Sequence, residues 1–184
     1  LAFQLNKKVV LPRKSISFKQ WTETLKITDI FNNEINFWKS SLQEISGQWV
    51  TNSKLPLQIS DLNTSLDVDY TQKLLGDVHK AFNTQINDIL LYALAKTLSS
   101  LHGNDNSQIY LEGHGRESLF EDLDISRTIG WFTSLYPVNL KYRSELSTAD
   151  QIKHFKESLR KIPHNGLGYG VLKYLKKVPE LELA

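Results

Sequence analysis

The stretch LEGHGRESLFEDLDISRTIGWFTSLYPV, residues 111–138, is central to the fold because it joins two segments with the character of β-strands. Upstream, SQIYLEG (residues 107–113) alternates apolar and polar side chains, which is typical of a strand with one buried face. Downstream, WFTSLYPVNL (residues 131–140) is rich in aromatic and β-branched residues, which favour strands. Between them, two glycines bracket a histidine, with a glutamate before the pair and an arginine after it. We predict two strands whose connection carries a carboxylate, an imidazole and a guanidinium.

Helical periodicity predicts the elements on either side of these strands. Ser17 with Gln20 forms a capping box before a first helix, and Thr148 with Gln151 is the predicted cap of a later helix, over residues 152–162. The remaining predictions are a second helix over residues 31–42, a loop over 47–62, a short strand over 63–70, a helix over 74–82, a buried helix over 84–101, a glycine-rich turn over 163–170 and a last short helix over 171–178. Helices mixed with separated strands indicate an α/β or α+β layered domain.

The composition is that of an ordinary globular domain of 184 residues with a formal net charge of +2. So small a basic excess argues against a nucleic-acid interface, which needs clustered positive charge. The absence of cysteine excludes disulfides, thiolate nucleophiles and Cys-ligated zinc, and it is compatible with the cytoplasm. No apolar run reaches the ~20 residues that span a bilayer, so we expect no membrane partner. Because the chain begins at Leu1 and contains no methionine, we expect it to be a piece of a longer polypeptide.

Glu112 is the candidate catalytic residue. In a strand that ends there, Tyr110 and Glu112 share one face, whereas Ile109 and Leu111 share the other. A glutamate at a strand end can act as a general acid or base, and the glycines after it let the chain turn sharply. A glutamate has an ordinary pKa of about 4.3, so useful proton exchange near neutrality requires burial, whereas an adjacent Arg116 would favour the charged form. The alternative is a solvated turn whose charges keep the strand end soluble.

Other residues with chemical potential are assigned structural roles. None of the other histidines has a second histidine one helical turn away, so we predict no metal site. Asn87 and Asp88 begin the predicted buried helix and are expected to cap it or to form a hydrogen bond with a neighbouring loop. No G-x-S-x-G elbow surrounds any serine, and GLGYG (residues 166–170) is too short for a dinucleotide-binding loop. Residue chemistry alone therefore indicates a layered α/β domain with one candidate acid/base carboxylate.

Five stretches, in order along the chain, resemble the epimerization domains of nonribosomal peptide synthetases. They are LPRKSISFKQWTETL (residues 11–25), NTQINDILLYALA (83–95), EGHGRE (112–117), RTIGWFTSLYPV (127–138) and PHNGLGYG (163–170). That family belongs to the condensation-domain superfamily, whose chloramphenicol-acetyltransferase-like fold has two lobes facing each other across a tunnel. The resemblance implies that residues 1–184 form a single C-terminal lobe, an α/β unit with a mixed sheet flanked by helices. The HHxxxDG motif of the family's N-terminal lobe and its last, FNYLG-type segment are absent from this sequence.

The same resemblance implies a reaction and its residues. The substrate is an L-aminoacyl or peptidyl group held as a thioester on the phosphopantetheine arm of a carrier domain, and an isomerase converts it into an L/D mixture by removing and returning the α-proton. Glu112 matches the family's catalytic carboxylate, whose partner histidine lies in the N-terminal lobe. Arg116 is assigned an electrostatic or positioning role because a guanidinium does not deprotonate in proteins, and His114 is assigned a structural or supporting one. No cofactor or metal is expected to bind this chain directly.

The implied partners are the N-terminal lobe of the same domain, an upstream peptidyl carrier domain and a downstream condensation domain, all in the cytoplasm. Without the N-terminal lobe and its histidine, the chain by itself is expected to be inactive. Two other functions stay open. One is a condensation domain, which forms peptide bonds on the same fold, although EGHGRE argues against it. The other is a noncatalytic lobe that docks carrier domains through a basic helix face over residues 153–161.

Overall fold

The computed structural model describes residues 14–43 and 61–182. The predicted loop over 47–62 lies almost entirely outside these ranges. The regular elements in chain order are α1 (Phe18–Ile27), a 3₁₀ turn (Asn32–Glu34), α2 (Ile35–Gln43), α3 (Val68–Leu75), α4 (Asp77–Phe82), α5 (Ile86–His102), β1 (Asn106–Gly113), β2 (Ser134–Lys141), α6 (Thr148–Arg160), a turn (Pro163–Gly166), α7 (Leu167–Gly170), a π-helical turn (Val171–Leu175) and α8 (Pro179–Glu182). Within the described ranges, no helix is both long and apolar enough to cross a bilayer.

β1 and β2 form an antiparallel pair, with Ile109 opposite Val138 and Glu112 opposite Leu135. Both predicted strands are confirmed, although β2 begins at Ser134 rather than at Trp131. The described residues form this antiparallel pair and no parallel ladder, so the mixed character expected of the sheet is not seen in them. Helices flank the pair, as the predicted fold class requires.

The strand predicted over residues 63–70 is wrong, because α3 begins at Val68. Asp67 caps this helix, since its side chain accepts a hydrogen bond from the Tyr70 amide at 2.8 Å. The alternating side chains Leu66, Val68 and Tyr70 are all exposed, so their alternation serves no buried sheet face. A strong local cap therefore outweighs a short alternating pattern that has no surface to pack against.

The first core lies between α1, α2 and the segment that follows α6. The predicted cap of α1 is confirmed, because the Ser17 hydroxyl accepts a hydrogen bond from the Gln20 amide at 3.1 Å. Trp21 of α1 is buried. Phe31, just before the 3₁₀ turn, and Trp38 of α2 are completely buried. The buried residues of this core include five large aromatic side chains: Trp21, Phe31, Trp38, Phe132 and Tyr169.

The second core lies on the other side of the sheet, where α5 and α6 pack together and against the strands. α5 is less buried than its sequence predicts: Leu91, Tyr92 and Ala95 are buried, whereas Leu90 and Leu94 are exposed. Only one face of α5 therefore packs into the core, although apolar residues occur around most of the circumference of the helix. The face that carries Leu90 and Leu94 is open to solvent in the described structure.

The caps of α5 and α6 are set by residues close to those that the sequence indicates. The predicted role of Asp88 is confirmed, because its carboxylate accepts a hydrogen bond from the Gln85 amide at 2.7 Å. The predicted cap of α6 is displaced by one residue: Ser147, not Thr148, accepts from the Asp150 amide. Gln151 is instead buried, and its amide donates to the Arg143 carbonyl.

We expect the stability of the fold to depend on pH through His154. This residue lines a cavity of about 590 Å³ that lies along β2 between α2 and α6. Burial lowers the pKa of His154, and the charges of Arg143, Lys141 and Lys161 lower it further. In the unfolded chain His154 binds a proton near pH 6.5, whereas in the folded chain it binds one only at a lower pH. Stability is therefore lost as the pH falls below about 6.5. We expect His154→Gln to reduce the fall in Tm between pH 7 and pH 5. An equal fall in both proteins, measured by calorimetry, would contradict this assignment.

Candidate active site

Glu112 lies next to the last residue of β1, directly opposite Leu135 of β2. The predicted alternation is confirmed: Ile109 and Leu111 pack against the second core, whereas Tyr110 and Glu112 occupy the other, more exposed face. The hydroxyl of Tyr110 meets that of Tyr169 at 3.4 Å, and burial raises the pKa of Tyr110, with this contact contributing. Within the described part of the chain, no group donates a hydrogen bond to the Glu112 carboxylate or pairs with its charge.

An apolar surface adjoins Glu112. Leu135, its cross-strand neighbour, lines a cavity of about 260 Å³ between α1 and the Val171–Leu175 turn. Trp131 and Tyr174 line the same cavity and are 82% and 60% exposed. Aromatic side chains with so little cover are unusual on a surface that stays in water, and together they mark an interaction or ligand-binding surface. The strand end that carries Glu112 is therefore beside this mostly apolar wall, and Leu135 is the residue that connects the two.

The two glycines around His114 are required by close contacts. Gly115 has a φ of +64°, and a Cβ there would lie 1.7 Å from the Phe132 carbonyl oxygen. A Cβ on Gly113 would lie 2.7 Å from the Ser134 hydroxyl. The chain after Glu112 therefore passes directly over the backbone that leads into β2. Glycine at these positions therefore permits the compact path of the turn, because a side chain would overlap with neighbouring atoms.

His114 stabilises the turn that follows Glu112. Its Nδ1 accepts a hydrogen bond from the Arg116 amide at 2.9 Å, so this nitrogen is unprotonated in that contact. Its Nε2 lies 3.5 Å from the Glu117 carboxylate. These contacts connect His114 with Arg116 and Glu117 of the turn, and the supporting role of His114 stays a prediction.

Arg116 directs its charge into the loop that joins the two strands. Its guanidinium donates to the carbonyls of Ile125 at 2.7 Å and Thr128 at 2.9 Å. The same group lies 3.9 Å from the centre of the Phe132 ring, a cation–π contact. The structure therefore brings Arg116 together with the loop and not with the Glu112 carboxylate. Of the two roles expected of Arg116, electrostatic or positioning, we propose the positioning role.

Replacing Arg116 tests this assignment. Lysine keeps the charge but cannot reproduce two fork-like hydrogen bonds and a planar contact with an aromatic ring. We therefore expect Arg116→Lys to lower the free energy of unfolding by about 1–3 kcal/mol, measured by urea denaturation of the complete domain. Arg127→Lys, at an exposed position of the same loop, is the matched control and is expected to change stability by less than about 0.5 kcal/mol. Equal effects of the two variants would contradict the role given to Arg116.

Glu117 and Asn165 belong to this site, although neither was predicted to have a role in it. The Asn165 amide donates to the Glu117 carboxylate at 2.9 Å. Burial raises the pKa of Tyr136, and the negative charge of Glu117 raises it further. Glu117 is part of EGHGRE, but only the fold brings it to a turn some 48 residues later in the chain.

Within the described ranges, no group of three His, Cys, Asp or Glu residues is arranged to hold a metal ion. The group with acid/base chemistry at the end of β1 is the carboxylate of Glu112, at a strand end next to an apolar wall. A carboxylate in such a place can accept and return a proton from a bound carbon or oxygen acid.

Comparisons with known proteins identify the family. The Condensation domain model matches residues 2–182. Gramicidin S synthase 1 from Brevibacillus brevis is 40% identical over 175 aligned positions, which cover 91% of this chain and 16% of that protein. The epimerization domain from the third module of tyrocidine synthetase B is similar with a TM-score of 0.74 and 34% identity, covering 98% of this chain and 42% of that one.

A condensation domain has the same fold at a lower identity. The first condensation domain of the calcium-dependent antibiotic synthetase matches with a TM-score of 0.65 and 14% identity, over 95% of this chain and 39% of that one. The chain thus spans less than half of either solved structure and a small part of the synthase. The predicted fold class is confirmed, and the chain belongs to the Condensation domain family.

Proposed function

We propose that residues 1–184 form most of the C-terminal lobe of an epimerization domain in a nonribosomal peptide synthetase. The observation that carries this proposal is Glu112, an exposed carboxylate without a partner among the described residues, held at a strand end beside an apolar wall. The greater identity to the epimerization domain, 34% against 14% for the condensation domain, supports this choice within the family.

In the proposed reaction, Glu112 exchanges a proton with the α-carbon of an aminoacyl or peptidyl thioester. The C–H bond breaks, its electron pair moves toward the thioester carbonyl, and an enolate-like intermediate forms. A proton returns to either face of that carbon, so the product is a mixture of L and D forms. A second acid/base group, the histidine expected in the N-terminal lobe, serves the opposite face. Closure of that lobe over Leu135 and Trp131 would exclude water from the reacting carbon.

The proposed substrate arrives on the phosphopantetheine arm of an upstream peptidyl carrier domain, and the product passes to a downstream condensation domain. No cofactor of the enzyme itself takes part in the proposed steps. The proposal places the protein in the cytoplasm. It also implies that this lobe needs the N-terminal lobe for activity, because one half of the acid/base pair lies there.

The carrier-docking alternative is weakened by the contacts of α6. Lys156 donates to the Phe82 carbonyl at 3.2 Å, and Arg160 donates to the Asn83 carbonyl at 2.6 Å. Lys153 pairs with Asp150 at 3.2 Å. These cations hold α6 against the end of α4 or neutralise a local carboxylate, so most of the basic face expected to meet a carrier is already used within the lobe.

Deuterium exchange in heavy water distinguishes the proposed epimerization function from the condensation and carrier-docking alternatives. The complete two-lobe domain is mixed with a carrier loaded with an L-aminoacyl group, and deuterium at the α-carbon is measured by mass spectrometry after hydrolysis of the thioester. The proposal expects deuterium uptake together with D-aminoacyl product. New amide bonds without uptake would indicate a condensation domain, and carrier binding with neither reaction would indicate a docking lobe.

A further inference from the structure

Glu34 is a carboxylate in the middle of the first core. The residue is 3% exposed and lies among aromatic side chains, between Phe31 and Trp38. Burying an ionisable group among apolar residues is costly unless hydrogen bonds compensate for the lost water. The proposed proton transfer at Glu112 does not use Glu34, so its position calls for another explanation.

The contacts of Glu34 extend across the chain. One carboxylate oxygen accepts a hydrogen bond from the indole of Trp38 at 2.8 Å. The other lies 2.5 Å from Nδ1 of His164, a residue 130 positions away. Gly168 packs directly against the same carboxylate, because a Cβ there would lie 2.0 Å from it. Both oxygens are therefore occupied, and one of them holds the Pro163–Gly166 turn.

That turn has an unusual backbone. His164 and Asn165 have φ values of 42° and 49°, and Gly166 follows with 81°. Left-handed conformations are unfavourable for residues with a Cβ, so two in succession persist only where surrounding contacts impose them. The hydrogen bond between Glu34 and His164, which is buried at its carboxylate end, is one of the contacts that impose this conformation.

The opposite side of the turn contacts the segment that carries Glu112. The Asn165 carbonyl lies 3.3 Å from the position of a Cβ on Gly113, the residue that follows Glu112. The Asn165 amide donates to Glu117, at the other end of EGHGRE. The left-handed turn therefore supports both ends of the candidate catalytic segment.

We propose that Glu34 is a positioning residue, which fixes the backbone around Glu112 through His164 and Asn165. This inference rests on the proposed function, because it assigns a task within that reaction. Small displacements of a catalytic group lower rates strongly, since reacting atoms must be held within a narrow range of distances. Disturbing Glu34 should therefore lower the turnover of the loaded carrier more than its binding.

Two variants of the complete domain test this chain of contacts. Glu34→Gln keeps the size of the side chain and an acceptor for Trp38 but removes the charge facing His164. Asn165→Gly keeps the left-handed backbone and removes only the amide that contacts Glu117. For each we expect kcat for α-proton exchange to fall at least 10-fold, with KM for the loaded carrier within about 2-fold of the original. Glu145→Gln, at an exposed position distant in sequence from this network, is the control and should leave both constants unchanged.

Amide hydrogen exchange gives a readout that does not depend on catalysis. In both variants, faster exchange should be confined to the amides of residues 112–117 and 164–166. A uniform rise across the lobe, or unchanged kcat in a folded Asn165→Gly domain, would overturn the positioning role even if Glu34→Gln fails to fold. If the unmodified domain shows no α-proton exchange, the proposed function fails; the confined pattern of amide exchange would then still support the structural connection, and its absence would refute it.

Discussion

Glu112→Gln in the complete two-lobe domain is expected to lower the rate of α-proton exchange by about 10²–10⁴-fold, the range that general acid/base groups contribute. Glutamine has almost the same shape but can neither accept nor return a proton. Because Glu112 has no partner among the described residues, its replacement should break no hydrogen bond in this lobe, and the fold should be retained. Deuterium uptake at the α-carbon measures the rate, and circular dichroism checks the fold.

The control for this experiment is Glu145→Gln, which removes an exposed carboxylate from the turn before α6. It should leave exchange within about 2-fold of the original, because a surface charge far from the reacting carbon affects proton transfer little. If Glu112→Gln retained full exchange while folded, Glu112 would not be the proton carrier. The solvated-turn interpretation would then be the better one.

Gly115→Ala is expected to cause the largest loss of stability among single glycine replacements at the turn after β1. A Cβ at this position would meet the Phe132 carbonyl oxygen at 1.7 Å, and backbone cannot move aside as a flexible side chain can. The left-handed φ lowers the free energy of unfolding by about 1–2 kcal/mol for any residue with a Cβ, and the steric overlap lowers it by about 1–3 kcal/mol more. We expect urea denaturation to show a loss of about 3 kcal/mol or more, or failure to fold.

Gly103→Ala separates these two costs. Gly103 has the same φ of +64°, yet a Cβ there would meet nothing within 4 Å. Its replacement should therefore cost only the conformational part, about 1–2 kcal/mol. Similar losses in both variants would show that the chain does not pass tightly over Phe132, which would remove the support proposed for the position of Glu112.

The sequence predicted the parts of this lobe that depend on local patterns. The first strand and the caps at Ser17 and Asp88 appear where they were expected, and the second strand appears with a later start. Each of them depends on alternation, on helical spacing or on a hydrogen bond between residues three apart. Such features are decided within a few residues, so they can be recognised before the fold is known.

Local patterns failed where burial made the decision. The segment over 63–70 alternates like a strand, but its apolar side chains face solvent and Asp67 starts a helix. The strand expected from Trp131 begins three residues later, because Phe132 instead packs in the first core under the Arg116 guanidinium. Neither result follows from residue order, since both depend on which surface is available for packing.

The sequence by itself determined the candidate carboxylate, the order of most elements and, through its motifs, the family. Only the tertiary structure decided the long-range contacts around that segment: the Arg116 guanidinium donates to a carbonyl of the loop, and Glu34 reaches His164 across 130 positions. A charged residue on the apolar face shared by Phe31 and Trp38 was the available signal for Glu34. Its partner could not be named from sequence, because a buried carboxylate is satisfied by whichever distant donor the packed core brings to it.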